Sequence, residues 1–247
     1  MKHFRHPARY YRHLKPHNAS TLRKITKGFG MLLVVFFLGS VLTVGVLRYL
    51  PVSSSAFMLH QHWVDMMDGK GYKPIDQQWV NYLEISTHAF TAVIASEDQL
   101  FYQHNGFDFN AIQTALNRYI ESGRLRGAST ISQQVAKNLF LTPDKTFFRK
   151  GLEVWFTVLI ESMWSKTRIL EVYLNIAEFG DHIFGIEAAS RRYFGVPAKQ
   201  LTVDQSAMLA ATLPNPLLLK ANQPSAYLFK RQSWILNQMR HIELNVS

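Results

Sequence analysis

An uncharged run of 20 residues, from Gly28 to Leu47, constrains this chain more than any other feature of its sequence. An α-helix rises about 1.5 Å per residue, so the run would span about 30 Å, the thickness of the hydrocarbon core of a bilayer. A helix in a soluble core is rarely apolar on every face over this length. The apolar stretch of a cleaved signal peptide is usually about 7–15 residues long. The sequence therefore predicts an uncleaved transmembrane helix over residues 28–50.

Charge is distributed unevenly on the two sides of this run. Residues 1–27 carry eight Lys and Arg and no acid, although the whole chain has 27 basic and 17 acidic residues. The remainder is nearly neutral, which argues against a nucleic-acid-binding protein. Because basic residues stay on the cytoplasmic side of a membrane helix, residues 1–27 are expected to form a cytoplasmic tail, with the rest of the chain outside.

The exterior part reads as a connector followed by one mainly α domain. Residues 51–78 contain a triple-serine run and a Gly-Lys-Gly turn, which are typical of a connector. Residues 79–247 are mostly helical in pattern. Apolar spacing predicts helices around 112–119 and 169–176, a Thr-x-x-Gln capping box predicts another after Thr202, and a last helix is expected over 226–243. Neither strand alternation nor an internal repeat is evident. The absence of cysteine excludes disulfides and cysteine-based zinc or nucleophile chemistry.

Two acidic positions stand in unusual surroundings. Glu97 and Asp98 end an apolar helix, where negative charge is disfavoured. They are either solvated or paired acids at a helix end, or functional groups. Glu153 follows Arg149 and Lys150 at helical spacing, which is either an ordinary surface ion pair or a carboxylate held beside an anion-binding pair. Glycosyl chemistry needs at least two carboxylates, one acting as base or acid and the other in an electrostatic role.

A third segment, residues 127–138, places a glycine, small residues and hydroxyls before a helix. This order is typical either of an anion-docking helix N-terminus or of a plain Ser/Thr N-cap. Downstream, Lys145 and the pair at 149–150 alternate with Phe147 and Phe148, a pattern of nucleic-acid or anionic-lipid contact, and the anchor favours lipid. No P-loop, H-E-x-x-H, G-x-S-x-G or G-x-G-x-x-G motif occurs, and the histidines show no metal-ligand spacing. His104 is more typical of a structural hydrogen bond.

Taken in order, five segments resemble the motifs of the peptidoglycan glycosyltransferase family (glycosyltransferase family 51). They are Glu97-Asp98-x-x-Phe101-x-x-His104-x-Gly106-x-Asp108, Gly127-Ala128-Ser129-Thr130-Ile131-Ser132-Gln133-Gln134, Arg149-Lys150-x-x-Glu153, Ile169-Leu170-Glu171-x-Tyr173-Leu174-Asn175 with the glycines that follow, and Ala207 to Pro216. Neither S-x-x-K nor K-T-G, the signatures of a serine transpeptidase, is present. The resemblance is therefore to the monofunctional members of the family.

This resemblance implies a fold, a reaction and a set of site residues. The implied fold is a lysozyme-like helical glycosyltransferase domain over 79–247, with a membrane-proximal jaw region within 51–78. The implied reaction polymerises lipid II into β-1,4 glycan strands, with inversion and release of undecaprenyl pyrophosphate. Glu97 is implied as the general base and Glu153 as the second catalytic carboxylate near the pyrophosphate. The implied substrate-binding residues are Ser129, Thr130, Gln133, Gln134, Lys137, Lys145, Arg149 and Lys150.

The resemblance also bears on cofactors, partners and location. No cofactor is expected to be required, and a divalent cation such as Mg²⁺ beside Glu153 is left open. The expected partners are lipid II, the nascent glycan strand and proteins of cell division or elongation, with no nucleic acid. The expected location is the bacterial inner membrane, with a periplasmic catalytic domain. Lys145 stands where many relatives carry Arg and loses the bidentate fork, whereas Ser132 in place of Thr loses only a methyl group.

Two other functions remain as alternatives. A lysozyme-like lytic enzyme would cleave glycan strands instead of making them, but it would need no pyrophosphate site. A non-catalytic anchored protein of the envelope would not need the two glutamates, both of which are present.

Overall fold

Helices make up most of the computed structural model, which describes residues 19–123, 127–144 and 146–244. The chain separates into two compact units between Thr43 and Val44. In chain order the helices are α1 (Ala19–Leu47), α2 (Ala56–Met67), α3 (Thr87–Glu97), α4 (Phe109–Ser122), α5 (Ile131–Phe140), α6 (Phe147–Met163), α7 (Lys166–Ile176), α8 (Ile186–Phe194), α9 (Val203–Thr212) and α10 (Ala226–Met239). Short 3-10 turns lie at Tyr82–Glu84 and Ala198–Gln200. The mainly α fold class is confirmed.

Helix α1 contains the long apolar run and begins earlier than expected. It starts at Ala19 instead of residue 28, because the polar residues before the run are compatible with a helix. It ends at Leu47, shortly before Pro51, whose nitrogen has no hydrogen to donate to a helical ladder. Its apolar side chains are largely exposed, as at Leu32, Leu38 and Leu42. Among the described residues it is the one helix long and apolar enough to cross a membrane.

Residues 51–78, predicted as a connector, contain helix α2 and a short strand. The last serine of the triple-serine run is the N-cap of this helix, because the Ser55 side chain accepts a hydrogen bond from Met58 N at 3.3 Å. A run of serines is therefore compatible with either a connector or a helix N-cap, and sequence alone does not distinguish the two. His182 holds the other end of α2, with its Nε2 2.5 Å from Asp65 Oδ2 and its Nδ1 2.8 Å from Asp181 Oδ1.

A small three-stranded sheet, which the sequence pattern did not reveal, lies beside α8. It consists of β1 (Asp76–Gln77), β2 (Glu178–Gly180) and β3 (Ile183–Phe184), with β3 in the middle. The pairing is parallel with β1 and antiparallel with β2. Strands of two or three residues are too short to show alternation of polar and apolar side chains.

Two groups of packed helices form the core and position the site. Helix α3 packs against α9 and α10, whereas α5 packs against α6 and α7. Phe90, Ile160 and Tyr173 are among the fully buried side chains of these helices. The end of α3, the first half of α5 and one face of α10 thereby come together.

The helices predicted from spacing and capping are confirmed, with two differences. Helix α4 runs from an Asp108 N-cap to a left-handed Gly123, but of its apolar stripe only Ala115 is buried. The capping box of Thr202 and Gln205 begins α9 as expected. Helix α10 ends at Met239, four residues before the predicted end at 243.

Candidate active site

Glu97 is the last residue of α3, and its carboxylate contacts side chains of two other helices. Its side chain is 15% exposed. Oε2 accepts a hydrogen bond from Gln134 Nε2 of α5 at 3.0 Å, and Oε1 lies 3.4 Å from Arg231 Nη2 of α10. Tyr173 of α7 donates its hydroxyl to Gln134 Oε1 at 3.3 Å. The tyrosine therefore orients the amide so that its NH₂ group faces the glutamate.

The surroundings of Glu97 act on its pKa in two opposing directions. Burial raises the pKa of Glu97 above its usual value, and the neighbouring Asp98 acts in the same direction. The hydrogen bond from Gln134 and the positive charges of Arg231 and Lys137 oppose this rise in pKa. Burial thus makes the carboxylate more basic, while its partners favour its ionised form, a combination suited to proton abstraction.

A cavity of about 470 Å³ opens beside Glu97. Its fourteen lining residues come from the end of α3, from α4, from the segment before α5 and from α10. They include Ser129, Thr130, Arg118 and Trp234. This volume is within the range of small-molecule sites, about 300–1,000 Å³.

Asp98, next to Glu97, has a structural position. Its Oδ2 accepts from Ile131 N at 3.0 Å, and its Oδ1 lies 2.8 Å from His104 Nε2. His104 Nδ1 accepts from Gly106 N at 3.2 Å, so Nε2 carries the hydrogen that Asp98 accepts. The acid and the histidine fix the loop after α3 to the start of α5, and the structural interpretation of His104 agrees with these bonds.

The start of α5 is a capped helix terminus, as in the simpler of the two sequence interpretations. Thr130 Oγ1 accepts from Gln133 N at 3.2 Å and Gln133 Oε1 accepts from Thr130 N at 3.0 Å, forming a capping box. Ile131 N is bonded to Asp98. Because these three amides already have partners within the protein, they are not free to bind a phosphate. Gln133 is buried within the cap and does not line the cavity.

A second cluster, named here the cation cluster, consists of Lys137, Arg149, Lys150 and Glu153. Arg149 Nη1 lies 2.7 Å from Glu153 Oε2 and Lys150 Nζ lies 2.5 Å from Oε1. Glu153 is buried, whereas Lys150 is half exposed. Burial lowers the pKa of Lys137, and Arg149 and Lys150 act in the same direction, against Glu153 and Glu97. Arg149 Nε is buried and has no hydrogen-bond partner. Three cations around one acid leave net positive charge and unused donors.

Glu153 does not offer a ligand set for a divalent cation in this structure. Both of its carboxylate oxygens are paired with cationic side chains. Within the described ranges, no group of three or more His, Asp or Glu residues is arranged to hold a metal ion. A divalent cation prefers several oxygen ligands, so no step is assigned to one.

The basic segment before α6 is predicted to contain a substrate-binding lysine and two aromatic residues that contact lipid. Lys145 lies outside the described residues. Phe147 and Phe148 begin α6 and are 99% and 77% exposed. Exposed aromatic side chains beside lysine and arginine fit contact with a lipid surface.

Two residues that shape the surroundings of Glu97 lie outside its own motif: Arg231 contacts it directly, and Tyr173 acts through Gln134. Arg231 belongs to no motif, and a single arginine in an amphipathic helix gives no signal in one sequence. Tyr173 is within the fourth motif, but its hydrogen bond to Gln134 depends on the packing of α5 against α7. The sequence therefore predicts which carboxylate is in the site, but it does not predict the residues that surround this carboxylate.

Comparisons with known proteins identify the family to which this chain belongs. A family model described as Transglycosylase matches residues 65–240. The chain is 53% identical over 203 residues to a biosynthetic peptidoglycan transglycosylase of Chromohalobacter salexigens, covering 82% of this chain and 86% of the relative. It is 51% identical over 217 residues to that of Pasteurella multocida, covering 88% and 87%. It is 47% identical over 228 residues to that of Mannheimia succiniciproducens, covering 92% and 93%. The chain belongs to the transglycosylase family, whose domain has a lysozyme-like helical fold, and is a peptidoglycan glycosyltransferase by this membership.

Proposed function

We propose that this chain polymerises lipid II into β-1,4-linked glycan strands and releases undecaprenyl pyrophosphate. The observation that carries the proposal is the pairing of two sites of different chemistry. A largely buried carboxylate with a raised pKa lines a cavity, and in a separate cluster Arg149 and Lys150 pair with Glu153 while Lys137 interacts with it through its charge. The relatives are biosynthetic peptidoglycan transglycosylases, which supports the same substrate class.

In the proposed mechanism, Glu97 takes the proton from the 4-hydroxyl of the acceptor sugar. The freed oxygen attacks the anomeric carbon of the growing strand, and the bond from that carbon to the pyrophosphate oxygen breaks with inversion. Gln134 and Arg231 favour the ionised form of the carboxylate and hold it in place before the proton moves. Preorganised donors near a developing charge stabilise the transition state without reorganisation.

The leaving pyrophosphate is assigned to the cation cluster. Glu153 keeps Arg149 and Lys150 together, and each has N–H donors beyond the one that faces the glutamate. Lys137 adds a charge that burial makes unfavourable in the absence of an anion. These features favour polymerisation over the lytic alternative, because hydrolysis of a glycan produces no pyrophosphate.

Membrane attachment completes the proposal. Helix α1 would anchor the chain once in the inner membrane, with the basic tail in the cytoplasm and the catalytic domain in the periplasm. The anchor would keep the site near the headgroup of a lipid-linked substrate. The chain is proposed to lack transpeptidase activity, and protein partners in cell division or elongation stay a prediction.

A lipid II polymerisation assay on the detergent-solubilised chain tests the reaction and the base together. The wild type is expected to make long strands on a gel, and Glu97→Gln is expected to make none, because the amide cannot accept the proton. Glu121→Gln, an exposed acid on α4, is the matched control and should retain full activity. Normal strands from Glu97→Gln would refute the base. Cleavage of preformed glycan by a wild type that makes no strands would favour the lytic function.

A further inference from the structure

We propose that Trp234 is a stacking surface for a sugar ring of an uncharged β-1,4 glycan in the cavity beside Glu97. The proposal rests on the proposed function, because it deepens the description of that same site. Trp234 lies in α10, well beyond the last segment that resembles a family motif. Nothing in the sequence pattern singled it out.

The first support is the register of α10 along the end of α3. Arg231, Trp234 and Gln238 are spaced three and four residues apart, so they share one face of the helix. Arg231 contacts Glu97, and Gln238 Oε1 accepts from Gln99 Nε2 at 3.3 Å. Trp234, between these two anchored positions, is thereby held at the cavity wall.

The second support is the character of Trp234 within that wall. It is the single aromatic among the fourteen described residues that line the cavity, and it remains 45% exposed. A large aromatic surface left open in a polar cavity is an apolar face without a protein partner. The C–H groups on one face of a sugar ring complement the electron-rich face of an indole, while the sugar hydroxyls reach polar groups around it.

The third support concerns which groups remain for a ligand. Asp98 and Asp108 line the cavity but accept hydrogen bonds from the backbone amides of Ile131 and Ala111. Ser129, Arg118 and Trp234 also line this cavity. None of the four residues of the cation cluster lines this cavity. The chemistry here therefore suits a neutral sugar, and the cation cluster suits phosphate.

Binding of a defined glycan tests the surface without turnover. The probe is the β-1,4 tetramer of N-acetylglucosamine, titrated against the full-length chain in detergent and followed by ligand-observed NMR. Trp234→Leu should weaken binding about tenfold, and Trp234→Phe by threefold or less, because phenylalanine keeps an aromatic face. Phe229→Ala, at a residue 51% exposed on the same helix but outside this cavity, should bind as the wild type does.

Kinetics on lipid II give a second reading. Trp234→Leu should raise KM about tenfold with a smaller change in kcat, and Trp234→Phe should restore it. If Trp234 only packed the helix, leucine and phenylalanine would lower the melting temperature alike and leave KM unchanged. Equal glycan affinity and equal KM for the two variants would overturn the proposal. A wild type that binds the tetramer through Trp234 but makes no strands would instead overturn the proposed function.

Discussion

Glu97 illustrates how burial and neighbouring groups act in opposite directions on the pKa of a single residue. Burial raises its pKa, and three neighbours lower it: Gln134 by a hydrogen bond, and Arg231 and Lys137 by their charge. None of these partners is adjacent in sequence, and Arg231 lies on the last described helix. Substitutions at residues far from Glu97 in the sequence should therefore change its pKa.

Removing the charge of Arg231 should move the acid limb of the pH–rate profile to higher pH. Arg231 lowers the pKa of Glu97, so its loss leaves burial less opposed and raises that pKa further. A base must be ionised to act, so kcat/KM of Arg231→Gln should fall below that of the wild type at acid pH and approach it at alkaline pH. The measurement is strand formation across a pH series.

The neighbouring lysine supplies the control for this charge change. Lys230→Gln removes one positive charge from an exposed site on the same helix, and its profile should coincide with that of the wild type. If kcat/KM of Arg231→Gln falls by the same factor at every pH and the acid limb does not move, Arg231 acts by packing alone.

Helix caps connect the local sequence to the placement of the site. Thr130 and Thr202 each begin a helix with a capping box. Thr130 is buried and also donates to Gly106 O at 2.7 Å, across to the loop that follows α3. Thr202 is exposed. The capping box at α5 therefore does more than begin a helix, because its threonine also fixes the segment that lines the cavity.

The two caps form a matched pair for a stability measurement. Thr202→Val should cost about 1 kcal/mol, the usual value of a lost N-cap. Thr130→Val should cost about 2–3 kcal/mol, because it also leaves a buried carbonyl without its donor. Urea unfolding followed by tryptophan fluorescence gives both values. Equal losses would contradict a bracing role of Thr130 toward Gly106.

The elements differ in how far the sequence could predict them, for physical reasons. Helix α4 carries its own start and stop signals in Asp108 and Gly123, so it could be predicted. Helix α2 could not, because its cap lies in a serine run that also resembles a linker. At α5 the sequence left an anion-docking start and a plain N-cap as alternatives, because the bond from Ile131 N to Asp98, 33 residues earlier, depends on packing. Caps and stop signals within a short segment can be predicted from the sequence, whereas hydrogen bonds between distant residues depend on how the helices pack.

At the scale of the whole molecule, charge and apolar length predict that the chain is divided between two environments. The eight basic residues of positions 1–27 precede an uncharged run, and the described helix through that run exposes its apolar side chains. The remaining chain builds a core of its own. A site for a lipid-linked substrate requires that this core lie on the side where that substrate is exposed.

Fusions at the C-terminus test this arrangement. Alkaline phosphatase needs disulfides, so it should be active on the full chain in a Gram-negative host, whereas a green fluorescent protein exported by the same route should stay dark. Replacing all eight basic residues of 1–27 with Gln should invert part of the population, because the bias in Lys and Arg sets orientation. Arg48→Gln, which removes a base after the run, should leave the wild-type orientation or strengthen it. A fluorescent, phosphatase-inactive wild type would place the catalytic domain in the cytoplasm and contradict the proposed topology.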